Sequence, residues 1–394
     1  MASTIRRLRR SVQKAAKAGG LDAEDTALAE HIVQSIARNG CCHLSEVARM
    51  LDEPEPLIDT ERRLSAQLAA RDSTLDALRH GWLKVAAPTA RRMSFIAVDA
   101  TEHVKQYGKA FEFLDTVRDA SDRLKRIEYG YWSAQIDAVD EVHGHLPLCS
   151  ELFSTKAPEY KSWYDAFLRP MLNVIAAVGR EHTWLFDRGF DAIHFLHSLV
   201  ALRIHWVVRQ QQTRLVLLGD GSRVPMHMLA AGLRKPHALQ TPYVNKSTHV
   251  VDHASVSFGF APVRLPDIDA PLTMIVIDGG RDEDIVLLSN ARMVDGQQIA
   301  SIVLAYLRRW GSEEATRAFK QLTGVEDFRV RRWESIRRLT FLAMMTCGVQ
   351  ALLLLTRPSV AERYIARVKQ FIEHILLKNY RLWRGVADAL YAGA

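Results

Sequence analysis

The stretch TWLFDRGFDAIHFLHSLVALRIHWVVR, residues 183–209, decides the fold. It opens as an apolar strand, TWLFD (183–187), that ends in a carboxylate, Asp187. FDAIHFLHSLVALR (190–203) follows with apolar residues at helical spacing, and IHWVVR (204–209) closes the unit as a second strand. Strand, helix, strand is the pattern to extend outward.

Upstream, SFIAVD (94–99) is a short apolar strand that again ends in an Asp, Asp99. IEYGYWSAQIDAVD (127–140) and HLPLCSELFS (145–154) read as two more strands, antiparallel and joined by a turn near Gly144. YKSWYDAFLRPMLNVIAAVGR (160–180) is a helix. Three strands, helix, strand, helix, strand is the order of an RNase H-like fold of the α/β class, a mixed five-stranded sheet flanked by helices. Residues 213–290 then break the pattern. LVLLG, VSFGFAPVRLP, MIVIDGG and IVLLSN are strand-like and separated by turn formers, so a mostly β insertion is expected.

The division that follows is a helical N-terminal DNA-binding domain over 1–88, a first catalytic part over 89–212 and the insertion over 213–290. A second catalytic part covers 291–356, and a C-terminal helical segment over 357–394 is assigned to packing or dimerisation. Residues 28–73 read as helix, turn, helix and then a basic helix, DTERRLSAQLAAR, as a DNA-reading unit would; an ordinary bundle reads the same way. FLAMMTCGVQALLLL (341–355) is shorter than the roughly 20 residues a bilayer span needs, so a buried core helix is expected there.

The chain has 394 residues, 48% hydrophobic, with a formal net charge of +7. The excess is clustered in RRLRR (6–10), in RVRRWESIRR (329–338) and beyond Arg363. Clustered arginine suits a polyanion, although solubility alone explains a basic surface. The four cysteines include no Cys-x-x-Cys pair, so a structural zinc site is not expected. Few cysteines and the lack of a signal peptide point to a reducing, intracellular setting. No phosphate-cradling glycine loop appears, which argues against a nucleotide cofactor.

One further stretch carries chemistry. In YLRRWGSEEATRAFKQL (306–322), read as one helix, Tyr306, Arg309, Glu313 and Lys320 have two, three and six residues between them. At about 100° per residue they fall near 0°, −60°, −20° and −40°, a single narrow face. Leu304, Leu307, Ala315, Ala318 and Leu322 form the opposite, apolar face. A salt-bridged surface helix gives the same spacing. With Asp99 and Asp187 at strand ends, Glu313 would complete three carboxylates able to hold two divalent cations for in-line phosphoryl transfer. Carboxylates suit Mg²⁺.

The quoted Tyr-(2)-Arg-(3)-Glu-(6)-Lys spacing resembles the Y-R-E-K signature of the DDE transposases of the insertion-sequence-four (IS-four) family. FIAVDAT resembles that family's first Asp motif and WLFDRGF its second, and the β insertion before the Glu is a shared feature. The resemblance spans roughly residues 90–355. It implies a metal-binding catalytic triad of Asp99, Asp187 and Glu313, using two Mg²⁺ ions with Mn²⁺ able to substitute. Tyr306, Arg309, Lys320 and Arg188 are implied as DNA contacts, and Trp310 as a base-stacking residue or core. The implied partners are double-stranded DNA, both terminal inverted repeats and target, and a second copy of the chain on that DNA, with no membrane. The implied setting is the bacterial cytoplasm, at the nucleoid when DNA is bound. Gly311-Ser312 departs from the family, which often has an apolar residue before the Glu, and it leaves room for a kink.

Glu314 lies near 80° on the same wheel, off the face. Asp278 is expected in a turn, and Asp191 is expected to serve the helix start after Gly189. His194 and His197 have no third ligand in view. Two rival functions stand beside the transposase: a silent DNA-end-binding repressor and an RNase H-like nuclease that cuts without joining.

Overall fold

Phe95–Val98 is apolar at every position because both faces of the strand are covered. The computed structural model describes residues 2–70, 73–105, 108–118, 124, 126–140, 144–211, 213–218, 220–244, 251–278, 284–291 and 295–356. At 2–5, 73, 242–244, 251–254, 308 and 310–314 it describes the backbone alone.

The apolar run is the start of β1 (Phe95–Val104). On one side β1 pairs antiparallel with β3 (Ile127–Asp140), which in turn pairs antiparallel with β2 (Asp115–Arg118) and β4 (Gly144–Phe153). On its other side β1 runs parallel to β5 (Thr183–Phe186), and β5 parallel to β6 (His205–Arg209). The five expected strands therefore lie in the order β4-β3-β1-β5-β6, with β3 alone reversed. One boundary is corrected. β1 does not stop at Asp99 but continues to Val104, because β3 goes on pairing with it after β5 has ended.

The insertion joins the same sheet. β12 (Ile285–Ser289) pairs antiparallel with β6, and β11 (Ile268–Asp278) and β10 (Val251–Leu265) follow outward. β9 (His237–Val244) pairs with β10 along its length, and the short β7 (Leu215–Leu217) and β8 (Arg223–Pro225) finish the edge.

Five helices precede the sheet: α1 (Ala2–Gly19), α2 (Ala23–Asn39), α3 (Leu44–Leu51), α4 (Leu57–Ala69) and α5 (Ser73–Ala90). Asp22 caps α2 by accepting the Asp25 N–H at 2.8 Å. Between strands lie α6 (Trp163–Val178), capped by Ser162, then α7 (Ile193–Ala201) and α8 (Met226–Gly232). α9 (Gly296–Arg308), α10 (Trp310–Thr323) and α11 (Trp333–Thr356) follow the insertion.

α11 sits among α2, α4, α5 and β4, so one apolar core runs from Leu8 and Ile32 through Trp82 and Ile136 to Phe341 and Val349. The change in texture near residue 88 is thus not a break in packing. At the centre of this core Trp82 is fully buried and donates its indole N–H to Pro147 O at 3.1 Å. α11 is long and apolar enough to cross a membrane by composition, but 56% of its apolar window is already buried inside the protein. The C-terminal segment 357–394 lies outside the described residues.

Candidate active site

The parallel ladder between β1 and β5 ends at Val98 opposite Phe186. Asp99, still on β1, and Asp187, just past β5, are the next residues, so their backbones lie side by side where β5 gives way to a turn. Asp187 Oδ1 accepts the Gly189 N–H at 2.7 Å and caps the 3-10 turn Arg188–Phe190. A side chain at Gly189 would put its Cβ 3.0 Å from that oxygen, close enough to push the Asp187 carboxylate aside. Arg188, on the same turn, is exposed.

Asp99 uses both carboxylate oxygens. Oδ1 accepts the Ala100 N–H at 3.0 Å, and Oδ2 accepts from Arg309 Nη1 at 3.1 Å. Arg309 is 4% exposed, and its guanidinium carbon lies 5.5 Å from the Tyr306 ring centroid. Tyr306 is also buried. Burial pushes its phenol above the usual range, with Asp187 adding to the rise and Arg309 and Arg209 opposing it. Its hydroxyl is therefore a neutral hydrogen-bond donor at ordinary pH. Tyr306, Arg309, Asp99 and Asp187 thus form one neighbourhood.

The helix expected over 306–322 runs as two segments that meet at Arg309, whose own dihedrals (φ −51°, ψ −28°) stay helical. α9 closes at Arg308 and α10 opens at Trp310, with Arg309 between them donating its N–H to both Ala305 O at 2.9 Å and Tyr306 O at 3.2 Å. The junction falls two residues before Gly311, a residue that weakens a helix by about 1 kcal/mol relative to alanine. Glu313 belongs to the first turns of α10; its side chain and those of Trp310 and Glu314 lie outside the described residues.

Lys320 does not join Arg309 at Asp99. Its Nζ lies 3.1 Å from Glu102 and 3.2 Å from Glu326. Asp191 does not serve a helix start. Its carboxylate accepts from Gln211 N at 2.6 Å and Arg214 Nε at 2.9 Å, fastening the entrance of the insertion. Asp278 closes β11 at the edge of the segment 279–283, which is not described. His194 packs edge-on against Tyr164, 4.5 Å between centroids.

Two of the five arginines in 329–338 are also spent internally. Arg338 donates to Leu68 O and Ala70 O, and Arg337 pairs with Glu151 and Glu334. Arg329, Arg331 and Arg332 stay exposed, as do Arg6 and Arg10 on α1, while Arg9, also exposed, pairs with Glu30 at 3.0 Å. On α4, Arg62 pairs with Asp59 and Arg63 with Glu53.

Sequence reasoning passed over Asp137. It faces Ala97 across the β1/β3 ladder, on the face that also carries Asp99, and is 6% exposed. Burial pushes its carboxyl up to about 7, and the charge of Asp99 adds to the shift. Beside it Gln135, opposite Asp99, donates to Ser133 at 2.9 Å and to Ser150 at 2.7 Å. A lone Asp in an apolar strand carries no sequence signal; only the register reveals it.

Among the described residues no group of three His, Cys, Asp or Glu side chains is arranged to hold a metal ion. The two described acids nevertheless fit a hard divalent cation in kind. Both are carboxylates where the β1/β5 ladder ends, and Asp99 already holds a positive group, Arg309.

Neither the family models nor the curated proteins searched give a match to this chain. Among solved structures it is similar to a piggyBac transposase in a cryo-EM synaptic complex with hairpin DNA. That similarity has a TM-score of 0.47 and 10% sequence identity, over 93% of this chain and 76% of the other.

Proposed function

We propose that this chain is a DDE transposase of the insertion-sequence-four kind, built on an RNase H-like core. It would bind the terminal inverted repeats of its own element and catalyse metal-dependent strand cleavage and strand transfer. The observation that carries the reading is the register that sets Asp99 beside Asp187 at the end of a parallel ladder, with Arg309, four residues before Glu313, reaching Asp99. The strand order β4-β3-β1-β5-β6 with one reversed strand supports the RNase H-like part.

In this reading Asp99, Asp187 and Glu313 hold two Mg²⁺ ions. When bound, such ions supply Lewis-acid stabilisation of phosphate oxygens and activate water or a 3′-hydroxyl. The protein's own groups do the rest. The strand fixes Asp99, since side chains on strands are held more tightly than side chains on loops, and the Gly189 N–H fixes Asp187 just past the end of β5. With its guanidinium released from Asp99, Arg309 would offer phosphate a charged hydrogen bond and Tyr306 a neutral one, and the exposed Arg188 would meet the backbone of the same DNA. Trp310 would stack on a displaced base. Two copies of the chain would act together on paired ends.

The test is cleavage and joining of linear duplexes carrying the DNA that flanks the coding sequence, with Mg²⁺, in wild type and Glu313→Gln. Cuts at the ends that vanish in the variant, together with joined products, are expected. Binding without cutting would replace the reading by a repressor, and cutting without joining by a nuclease.

A further inference from the structure

Lys320 is the member of the four-residue face that the structure turns away from Asp99. Its ammonium stands between two carboxylates, Glu102 Oε1 at 3.1 Å and Glu326 Oε1 at 3.2 Å. Its side chain is 15% exposed and that of Glu102 8%. Glu326 does more than pair with it. The same Oε1 accepts the Val104 N–H at 3.1 Å, so one carboxylate joins the end of β1 to α10. Lys105, next along from β1, donates to Glu326 O at 2.6 Å and Phe328 O at 2.8 Å and lies over the Phe328 ring. His103 of β1 packs edge-on against Phe319 of α10, the residue before Lys320. Burial and the two lysines hold that imidazole well below its usual range, so it is neutral and adds no cation.

A phosphate has no easy route to Lys320. Two carboxylates outweigh its single charge, and displacing it would leave both of them partly buried without their cation. The contacts instead clamp α10 to β1. Glu313 and Lys320 share that helix seven residues apart, two turns or about 10 Å along a rigid rod. Asp99 and Glu102 share β1. Whatever fixes Lys320 against Glu102 therefore fixes the backbone of Glu313 against that of Asp99.

We propose that Lys320 and Glu326 are positioning residues, a partly buried strut that sets the spacing between the Glu313 helix and the Asp99 strand, and that Lys320 is not a DNA contact. This rests on the proposed assignment of Asp99 and Glu313 as metal ligands.

The experiment compares wild type with Lys320→Met, Lys320→Arg and Glu326→Gln. Two quantities are read: binding of the flanking-DNA duplex over a series of salt concentrations, and Mn²⁺ affinity of the protein–DNA complex by titration calorimetry. Lys320→Met is expected to keep the wild-type salt slope and to weaken Mn²⁺ binding by about tenfold or more, the usual cost of losing support behind a ligand. Glu326→Gln should do the same, and Lys320→Arg should restore the metal affinity. A salt slope that falls by about 0.9 in Lys320→Met, with weaker DNA binding, would make Lys320 a phosphate contact and overturn the strut. Unchanged Mn²⁺ affinity in Glu326→Gln would overturn it too, and covers the case in which Lys320→Met does not fold. Wild type that binds neither duplex nor Mn²⁺ would instead remove the functional reading on which the strut stands.

Discussion

Arg309 donates to Asp99 at 3.1 Å across 210 residues of chain, and this contact ties the junction of α9 and α10 to the middle of β1. Arg309 is almost fully buried and Asp99 largely so. Arg309 has almost no bulk water to fall back on, and Asp99 little. Removing either one leaves the other poorly compensated, so the two substitutions should not add. A double-mutant cycle of Arg309→Gln and Asp99→Asn, followed by urea unfolding in metal-free buffer, is expected to give a coupling of about 1–3 kcal/mol.

Arg188 offers the contrast. It is exposed on the turn that Asp187 caps, and a surface substitution of this kind changes stability by about 0.5 kcal/mol or less. Arg188→Gln should therefore melt like wild type. Its binding to flanking DNA should lose about 0.9 of salt slope, as one lost phosphate contact requires.

Asp137 makes stability depend on pH in an unusual direction. Its carboxyl titrates near 7 in the folded chain and near the ordinary carboxylate value when unfolded. Between those values the folded state holds a proton that the unfolded state has lost. This contribution is complete below the unfolded pKa, declines as pH rises and is gone above about 7. In EDTA, Asp137→Asn should gain on wild type across this window by up to about 1.4 kcal/mol per pH unit and run parallel to it above. Urea melts at several pH values read this difference directly.

Gly348, in the middle of α11, sets two effects against each other. Alanine favours helix by about 1 kcal/mol. A Cβ there would, however, stand 2.4 Å from Trp82 Cζ2, and Trp82 is fully buried with its indole N–H committed to Pro147 O. Overpacking costs about 1–3 kcal/mol and should win. Gly348→Ala is expected to lower the urea midpoint, and Trp82→Phe on that background should recover part of the loss.

Local pattern was enough to read the five central strands and their helices, because apolar runs and helical periodicity are properties of adjacent residues. β3, β4 and β6 lie within a residue or two of their expected bounds. What failed needed information from elsewhere in the chain. The end of β1 is set by β3, a separate strand, not by the Asp that closes its apolar run. Tyr306, Arg309, Glu313 and Lys320 share a face on the wheel, but Arg309 is taken by Asp99, and the buried Glu102 and half-buried Glu326 claim Lys320. Arg337 and Arg338 read as part of a basic surface, yet their partners, Glu151 and the carbonyls of Leu68 and Ala70, lie far away in sequence. Asp137 was invisible for the same reason.

The outer strands deserve a mechanical reading. β10, β11 and β12 continue the central sheet through β6 without a gap in the ladder, so the insertion is not a flap on a hinge. Cross-strand backbone hydrogen bonds run as one lattice from its edge to the rim that carries Asp187 and Asp99. Strain applied to the outer strands, by a DNA end leaning on them, would reach that rim as twist of a single plate. Slow amide exchange should accordingly fall off smoothly from β5 to β10, with no step at β12.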